Sequence, residues 1–139
     1  MRPRKIDKVN PLEERMVTGT VGELLVQLRL LEHDVQAAPP LKDSGNDLIA
    51  IRGKQFRAIQ VKATKDANNF AFNHKELKEK LYDVLALVQI IGEGPNLRLD
   101  ECRIYLIPKD AVLKGHYKPM ELAEYELSRP IVDALFDVR

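Results

Sequence analysis

The stretch SGNDLIAIRGKQFRAIQVKAT, residues 44–64, decides how this chain is read. Two apolar runs, 48–51 and 56–63, flank the quartet Arg52-Gly53-Lys54-Gln55. Short β-branched and aromatic runs on either side of a glycine-containing turn are the pattern of a β-hairpin. Glycine at the first position of a two-residue turn suits type II′, which needs a positive φ there. With Gly53-Lys54 as the turn, Arg52 pairs with Gln55, and stepping outward sets Asp47 opposite Gln60. A four-residue loop gives the same register; a three- or five-residue loop breaks it. Side chains alternate along a strand, so Ala58, Gln60, Lys62 and Thr64 share one face and Ile59, Val61 and Ala63 share the other. The second face is core. The first gathers Asp47, Gln60 and Lys62, the opposed pair being about 5 Å apart.

Those three side chains suit one chemistry. Mg²⁺ and similar hard cations take oxygen ligands. Asp47 offers a carboxylate and Gln60 an amide oxygen. Lys62 would orient an attacking water or stabilise charge developing on phosphoryl oxygens. A second reading is plainer: a glutamine and a lysine on one face of a strand also describe a face turned to solvent.

Working outward, the chain has 139 residues, 45% of them hydrophobic, which is enough for one domain with a packed core. With 22 basic against 21 acidic residues, the balanced charge neither demands nor excludes nucleic acid. One cysteine, Cys102, excludes an internal disulfide framework and a cysteine metal cluster within one chain, and fits a reducing cytoplasm. The basic start MRPRKIDK is not followed by an apolar signal core. The longest apolar run, 84–91, falls far short of the ~20 residues a membrane span needs. No membrane association is expected.

Residues 1–10 read as a basic arm and 11–139 as a single domain. Asn10 and Pro11 suit an N-cap and the first position of a helix that runs to about Leu31. In it Val17, Val21, Leu24, Leu25, Leu28 and Leu31 recur at helical spacing and predict the buried stripe. Gly19 and Gly22 precede a single acid, Glu23, and predict a close approach of this helix to a sheet. Glu23 and Gln27, four apart, share a face. A short edge strand is expected over 35–38, a helix over 74–81, strands over 82–91 and 103–107, and a final helix over 130–138. The order predicts an α/β sandwich with a central mixed sheet and helices on both sides.

At this point the sequence resembles the PD-(D/E)XK nuclease superfamily, the restriction-endonuclease-like phosphodiesterases. GTVGELLV in the first helix, GNDLIAI in the second strand and AIQVKAT in the third carry the resemblance. It implies a restriction-endonuclease-like α/β/α sandwich. It also implies a metal site in which a helical glutamate, Glu23, supports an aspartate at a bent strand start, Asp47, and an acid-x-lysine pair on the next strand, here Gln60 and Lys62. The activity implied is Mg²⁺- or Mn²⁺-dependent DNA cleavage, with a homodimer or larger assembly where both strands are cut. Two positions depart from the pattern. Asn46 stands where a proline usually precedes the aspartate. Gln60 replaces the second acid, as in a branch that includes some Holliday-junction-resolvase-like proteins and a group I intron homing endonuclease. Glutamine keeps an oxygen ligand but removes a negative charge, so metal affinity should be lower. An alternative is therefore a module that keeps the fold, has lost catalysis, and binds nucleic acid or a partner protein.

Lys65, Arg57 and Thr64 are the further candidates for contact with nucleic acid, each with an ordinary surface or strand role as its rival. Phe70 and Phe72 lie in a polar stretch and are expected to turn back into the core rather than stack on bases. Asp83 is expected to cap the preceding helix or to sit at the sheet edge, with no catalytic part.

Overall fold

The computed structural model describes residues 13–41, 46–66 and 68–137. The basic arm, the Asn10–Pro11 helix start and most of the loop before Asp47 lie outside these residues. In chain order the elements are α1 (Glu14–Leu31), β1 (Gln36–Ala38), β2 (Leu48–Arg52), β3 (Gln55–Thr64), β4 (Phe70–Ala71), α2 (His74–Lys78), β5 (Val84–Gln89), β6 (Gly92–Glu93), β7 (Asn96–Leu97), β8 (Arg103–Pro108), β9 (His116–Tyr117) and α3 (Arg129–Phe136). Short 3-10 turns fill Leu99–Glu101, Lys109–Ala111 and Pro119–Tyr125.

The hairpin forms as its turn chemistry dictates. Arg52 pairs with Gln55 and Leu48 with Ile59. Gly53 takes φ 60° and Lys54 does not have a positive φ, as the first and second positions of a type II′ turn require. From this hairpin the sheet grows to five strands in the order β1-β2-β3-β5-β8. The first two junctions are antiparallel, β3–β5 is parallel and β5–β8 antiparallel. A parallel junction needs a long crossover, and the 65–83 segment carrying β4 and α2 supplies it.

Both faces of the sheet are covered. On one, α1 and α3 bury Leu25, Val26, Leu30, Val132 and Phe136 against Ile59, Val61, Val84, Ala86 and Val88. On the other, α2, β4, β9 and the 3-10 turns bury Phe70, Leu77, Tyr117 and Leu122 against Leu85, Leu87, Tyr105 and Ile107. The central strand β5 is buried along its whole length, which is why its sequence is apolar from Val84 to Val88, with Gln89 at its end, rather than alternating. Phe70 is 2% exposed and meets Tyr105 edge-on with ring centres 5.9 Å apart. Phe72 stacks on Tyr117 at 6.3 Å. Both phenylalanines thus turn inward, as expected.

The helix α1 departs from the sequence expectation in an informative way. Its buried residues are Gly22, Leu25, Val26 and Leu30. Leu24, Leu28 and Leu31, read from spacing as core, are 57%, 53% and 59% exposed. The helix carries two apolar stripes, and backbone approach chooses between them. A Cβ on Gly22 would lie 2.6 Å from the Ala63 Cβ, so at this position only glycine lets α1 sit down on β3. Gly19 has open space around it and takes no part in the contact. The helix ends in a left-handed residue, Asp34 (φ 65°), with the Val35 amide bonded back to the Leu30 carbonyl at 3.0 Å.

Candidate functional site

The site is built where β2 and β3 part. β2 begins at Leu48, whereas β3 runs on to Thr64. The end of β3 therefore passes its antiparallel partner, and the Val61 amide needs another acceptor. Asp47, the residue before β2, supplies it: its Oδ2 accepts from the Val61 amide at 2.7 Å. The Asp47 amide in turn donates to the Ile59 carbonyl at 3.1 Å. These two bonds hold the carboxylate against the sheet edge in one orientation.

Gln60 lies beside it, as the hairpin register requires. Its Nε2 donates to Asp47 Oδ2 at 2.9 Å. The residue is only 4% exposed, and its Oε1 is buried with no hydrogen-bond partner among the described residues. An unmatched buried amide oxygen costs about 1–3 kcal/mol, so the position carries a cost that packing alone does not explain. Rotation about the last side-chain bond exchanges Oε1 and Nε2, which would bring the carbonyl oxygen alongside the Asp47 carboxylate.

Glu23 reaches the same place from α1. It directly follows Gly22, the point of closest helix–sheet approach. Burial, and secondarily the negative charge of Asp47, push its carboxyl above the ordinary value of 4.5. The Asp47 charge is thus close enough to act on Glu23. Gln27 shares the Glu23 face, as spacing predicts, and its Nε2 donates to the Glu23 carbonyl at 3.3 Å.

Lys62 follows on the Gln60 face two residues along, about 7 Å at strand spacing. It is half-buried and makes no ion pair or hydrogen bond among the described residues. Asn46, noted from sequence only as standing where a proline usually precedes the aspartate, also has a buried Oδ1 without a partner among the described residues. An amide side chain directly before Asp47 was the signal for it. Glu23, Asp47 and Gln60 between them carry two carboxylates and one amide oxygen without a partner among the described residues, oxygen groups of the kind a hard divalent cation takes. Among the described residues no three His, Cys, Asp or Glu side chains group to hold a metal.

The other candidates are placed differently. Thr64 ends β3, and its Oγ1 accepts from the Asp66 amide at 3.0 Å. Lys65 ion-pairs with Glu14 at 3.1 Å and Glu93 at 3.6 Å, and the bond to Glu14 is the main reason its ammonium is held above the ordinary lysine value. It ties the start of α1 to the end of β3. Arg57 has odd parity on β3 and lies on the face opposite Gln60 and Lys62. Its guanidinium donates to the Leu135 carbonyl at 2.8 Å and lies 5.7 Å from the Phe136 ring centre, so it docks α3 rather than facing the site. Asp83 sits at neither a helix end nor a sheet edge: it leads into the central strand β5 and closes the start of the β3–β5 junction, its carboxylate accepting from the Ala58 amide at 2.7 Å. A cavity of about 530 Å³ lined by Arg29, Cys102, Arg103 and Glu126 contains none of the site residues, and the Arg103–Glu126 pair across it is already closed at 3.1 Å.

The architecture has relatives among solved structures. The bacterial homing endonuclease I-Ssp6803I matches with a TM-score of 0.55 over 76% of this chain and 74% of its own, at 16% identity. Hjc from Archaeoglobus fulgidus, a Holliday junction resolvase from an archaeal hyperthermophile, matches with a TM-score of 0.54 over 86% of this chain and 98% of its own, at 17% identity. The fold is restriction-endonuclease-like. No protein-family profile and no curated protein sequence matches the chain. Within this restriction-endonuclease-like sheet, the candidate donors come from the hairpin strands and from the helix before them, the three segments that carried the sequence resemblance.

Proposed function

We propose that the protein is a metal-dependent DNA endonuclease that hydrolyses phosphodiester bonds. One observation carries the reading: the buried Gln60 Oε1, without a partner among the described residues, belongs to a side chain bonded to the Asp47 carboxylate, whose charge acts on Glu23. Mg²⁺ or Mn²⁺ held by Glu23, Asp47 and Gln60 would activate water and neutralise charge on the phosphate. The chain's own groups do the rest. Asp47 accepts from the Val61 amide and Gln60 through one oxygen, Oδ2, which leaves Oδ1 without a partner among the described residues. Lys62, unpaired among the described residues, offers an ammonium to the phosphoryl oxygens as charge grows on them. Thr64 and Lys65 lie at the same end of β3 and would meet the nucleic-acid backbone, Lys65 by exchanging its pairs with Glu14 and Glu93 for phosphate. One chain has one site, so cutting two strands calls for a second copy. Among the described residues no helix is long and apolar enough to cross a membrane; the free, buried Cys102 supports placing the protein in the reducing cytoplasm.

The test is cleavage of branched, single-stranded and plasmid DNA with Mg²⁺, Mn²⁺ or EDTA, comparing wild type with Lys62→Ala and Asp47→Ala. Metal-dependent cutting that both substitutions abolish is the expected result. A folded wild type that cuts none of these substrates would favour the second reading, a binding module that has lost catalysis. The low negative charge of the site, two acids with Glu23 shifted toward its neutral form, is what supports that rival.

A further inference from the structure

The stripe of α1 that the fold leaves outside has the spacing of a helix-pairing seam. Val17, Val21, Leu24, Leu28 and Leu31 follow one another at steps of four, three, four and three, the a/d pattern of a coiled coil. Four of them lie open: Val17 is 42% exposed and Leu24, Leu28 and Leu31 are 57%, 53% and 59% exposed. They border a groove of about 450 Å³ between α1 and β1, lined by Leu24, Leu28 and Leu31 with Gln27, Gln36 and Ala37. Val21, the remaining member, is half-buried against the core; scattered exposed apolar residues need no explanation, but the unbroken open row Leu24, Leu28 and Leu31, with Val17 beyond it, marks a surface that something covers.

We infer that α1 is a homodimerisation helix that pairs with α1 of a second copy through this seam. Three features select that occupant. The a/d row asks for another helix with a matching row, and α1 is the described helix of this chain that has one. Its midpoint is Leu24, equally far in sequence from Val17 and Leu31, so a two-fold axis there makes the surface self-complementary, as a symmetric interface must be. Of the residues flanking the seam, Thr18, Thr20 and Gln27 are uncharged and the charged one, Glu32, lies at its C-terminal end, so an antiparallel pair about Leu24 holds the two Glu32 side chains at opposite ends, away from like-charge repulsion. The apolar row and groove rim offer on the order of 500 Å² per copy, or about 1,000 Å² in the pair, at the lower end of specific interfaces. A reversible dimer with a dissociation constant on the order of micromolar fits that area. Glu23 immediately precedes Leu24, so pairing here carries the two candidate sites on adjoining helices. The inference itself does not depend on the nuclease reading.

Sedimentation velocity of the full chain from about 1 to 200 μM (a range that brackets such a constant) tests it. Wild type should pass from monomer to dimer across the range. Leu28→Glu should remain monomeric throughout while melting within a few degrees of wild type, because that side chain is already in solvent. Phe56→Glu, at an exposed position on the hairpin (61%) away from α1, should dimerise like wild type. Leu24→Cys should form a disulfide-linked dimer under mild oxidation, since Leu24 meets its own copy in either helix direction. A wild type that stays monomeric at every concentration, or a dimer that survives Leu28→Glu, would overturn the inference.

Discussion

Gly22→Ala tests how the fold positions Glu23. In an isolated helix the change is favourable by about 1 kcal/mol. Here the new Cβ would lie 2.6 Å from the Ala63 Cβ, whereas carbon pairs pack at about 3.5–4.0 Å. Neither methyl can rotate away, so α1 must lift off β3 by roughly 1 Å. Overpacking of this kind costs about 1–3 kcal/mol. Set against the propensity gain, the net is a destabilisation of about 0–2 kcal/mol, or a melting temperature lower by up to about 7 °C for a chain of this size. The functional loss should be larger, because Glu23 is the next residue and moves with the helix. A displacement of about 1 Å at a reacting centre costs on the order of 100-fold in rate. Ala63→Gly should cost about 0.5–1 kcal/mol alone by loosening the strand, yet rescue Gly22→Ala by returning the space. The assay is a double-mutant cycle on melting temperature and on cleavage rate. Stabilisation by Gly22→Ala, or strict additivity of the two changes, would refute the close approach and with it the account of how Glu23 is placed.

Gln60→Glu puts a third carboxylate beside Asp47 and breaks the 2.9 Å bond between them. Without metal it should destabilise by about 2–3 kcal/mol, the order of an unmatched buried charge partner, and saturating Mn²⁺ in a thermal melt should restore more of that loss than it adds to wild type; an equal Mn²⁺ response in both proteins would count against a metal at this site. Glu23 has a pKa raised in the folded state, so the native protein holds more protons than the unfolded chain between 4.5 and that raised value. In EDTA, stability contributed by protonated Glu23 is therefore lost as pH rises through this window, and Glu23→Gln should flatten the decline in a pH series of denaturant midpoints; parallel curves would contradict it. Arg57→Ala removes the bond to the Leu135 carbonyl and the contact with Phe136, and should lower stability by about 1–2 kcal/mol while the folded protein cuts as wild type does. Lys62→Ala should do the reverse, abolishing cleavage with little change in the melt, and a matching loss of cleavage in Arg57→Ala would show that its face of the sheet meets DNA after all.

Much of this was legible in residues 44–64 because the interactions involved are local. A strand's period of two and a glycine turn are enough to set Asp47 against Gln60, and the hydrogen bond between them follows from that register. The two-sided burial of β5 could be read from its apolar run, and the inward turn of Phe70 from its bulk. Spacing could not choose between the two stripes of α1, because both satisfy helical periodicity. Contact with Ala63, more than forty residues away in sequence, chose the stripe around Gly22 and left Leu24, Leu28 and Leu31 outside. The role of Arg57 was equally hidden, since its acceptor, the Leu135 carbonyl, lies on a helix that docks only when the chain is complete. The sequence determined which side chains could meet along the hairpin. Tertiary packing decided which face of α1 and which side of β3 each one served, because those choices rest on steric fit and hydrogen-bond partners that come from distant parts of the chain.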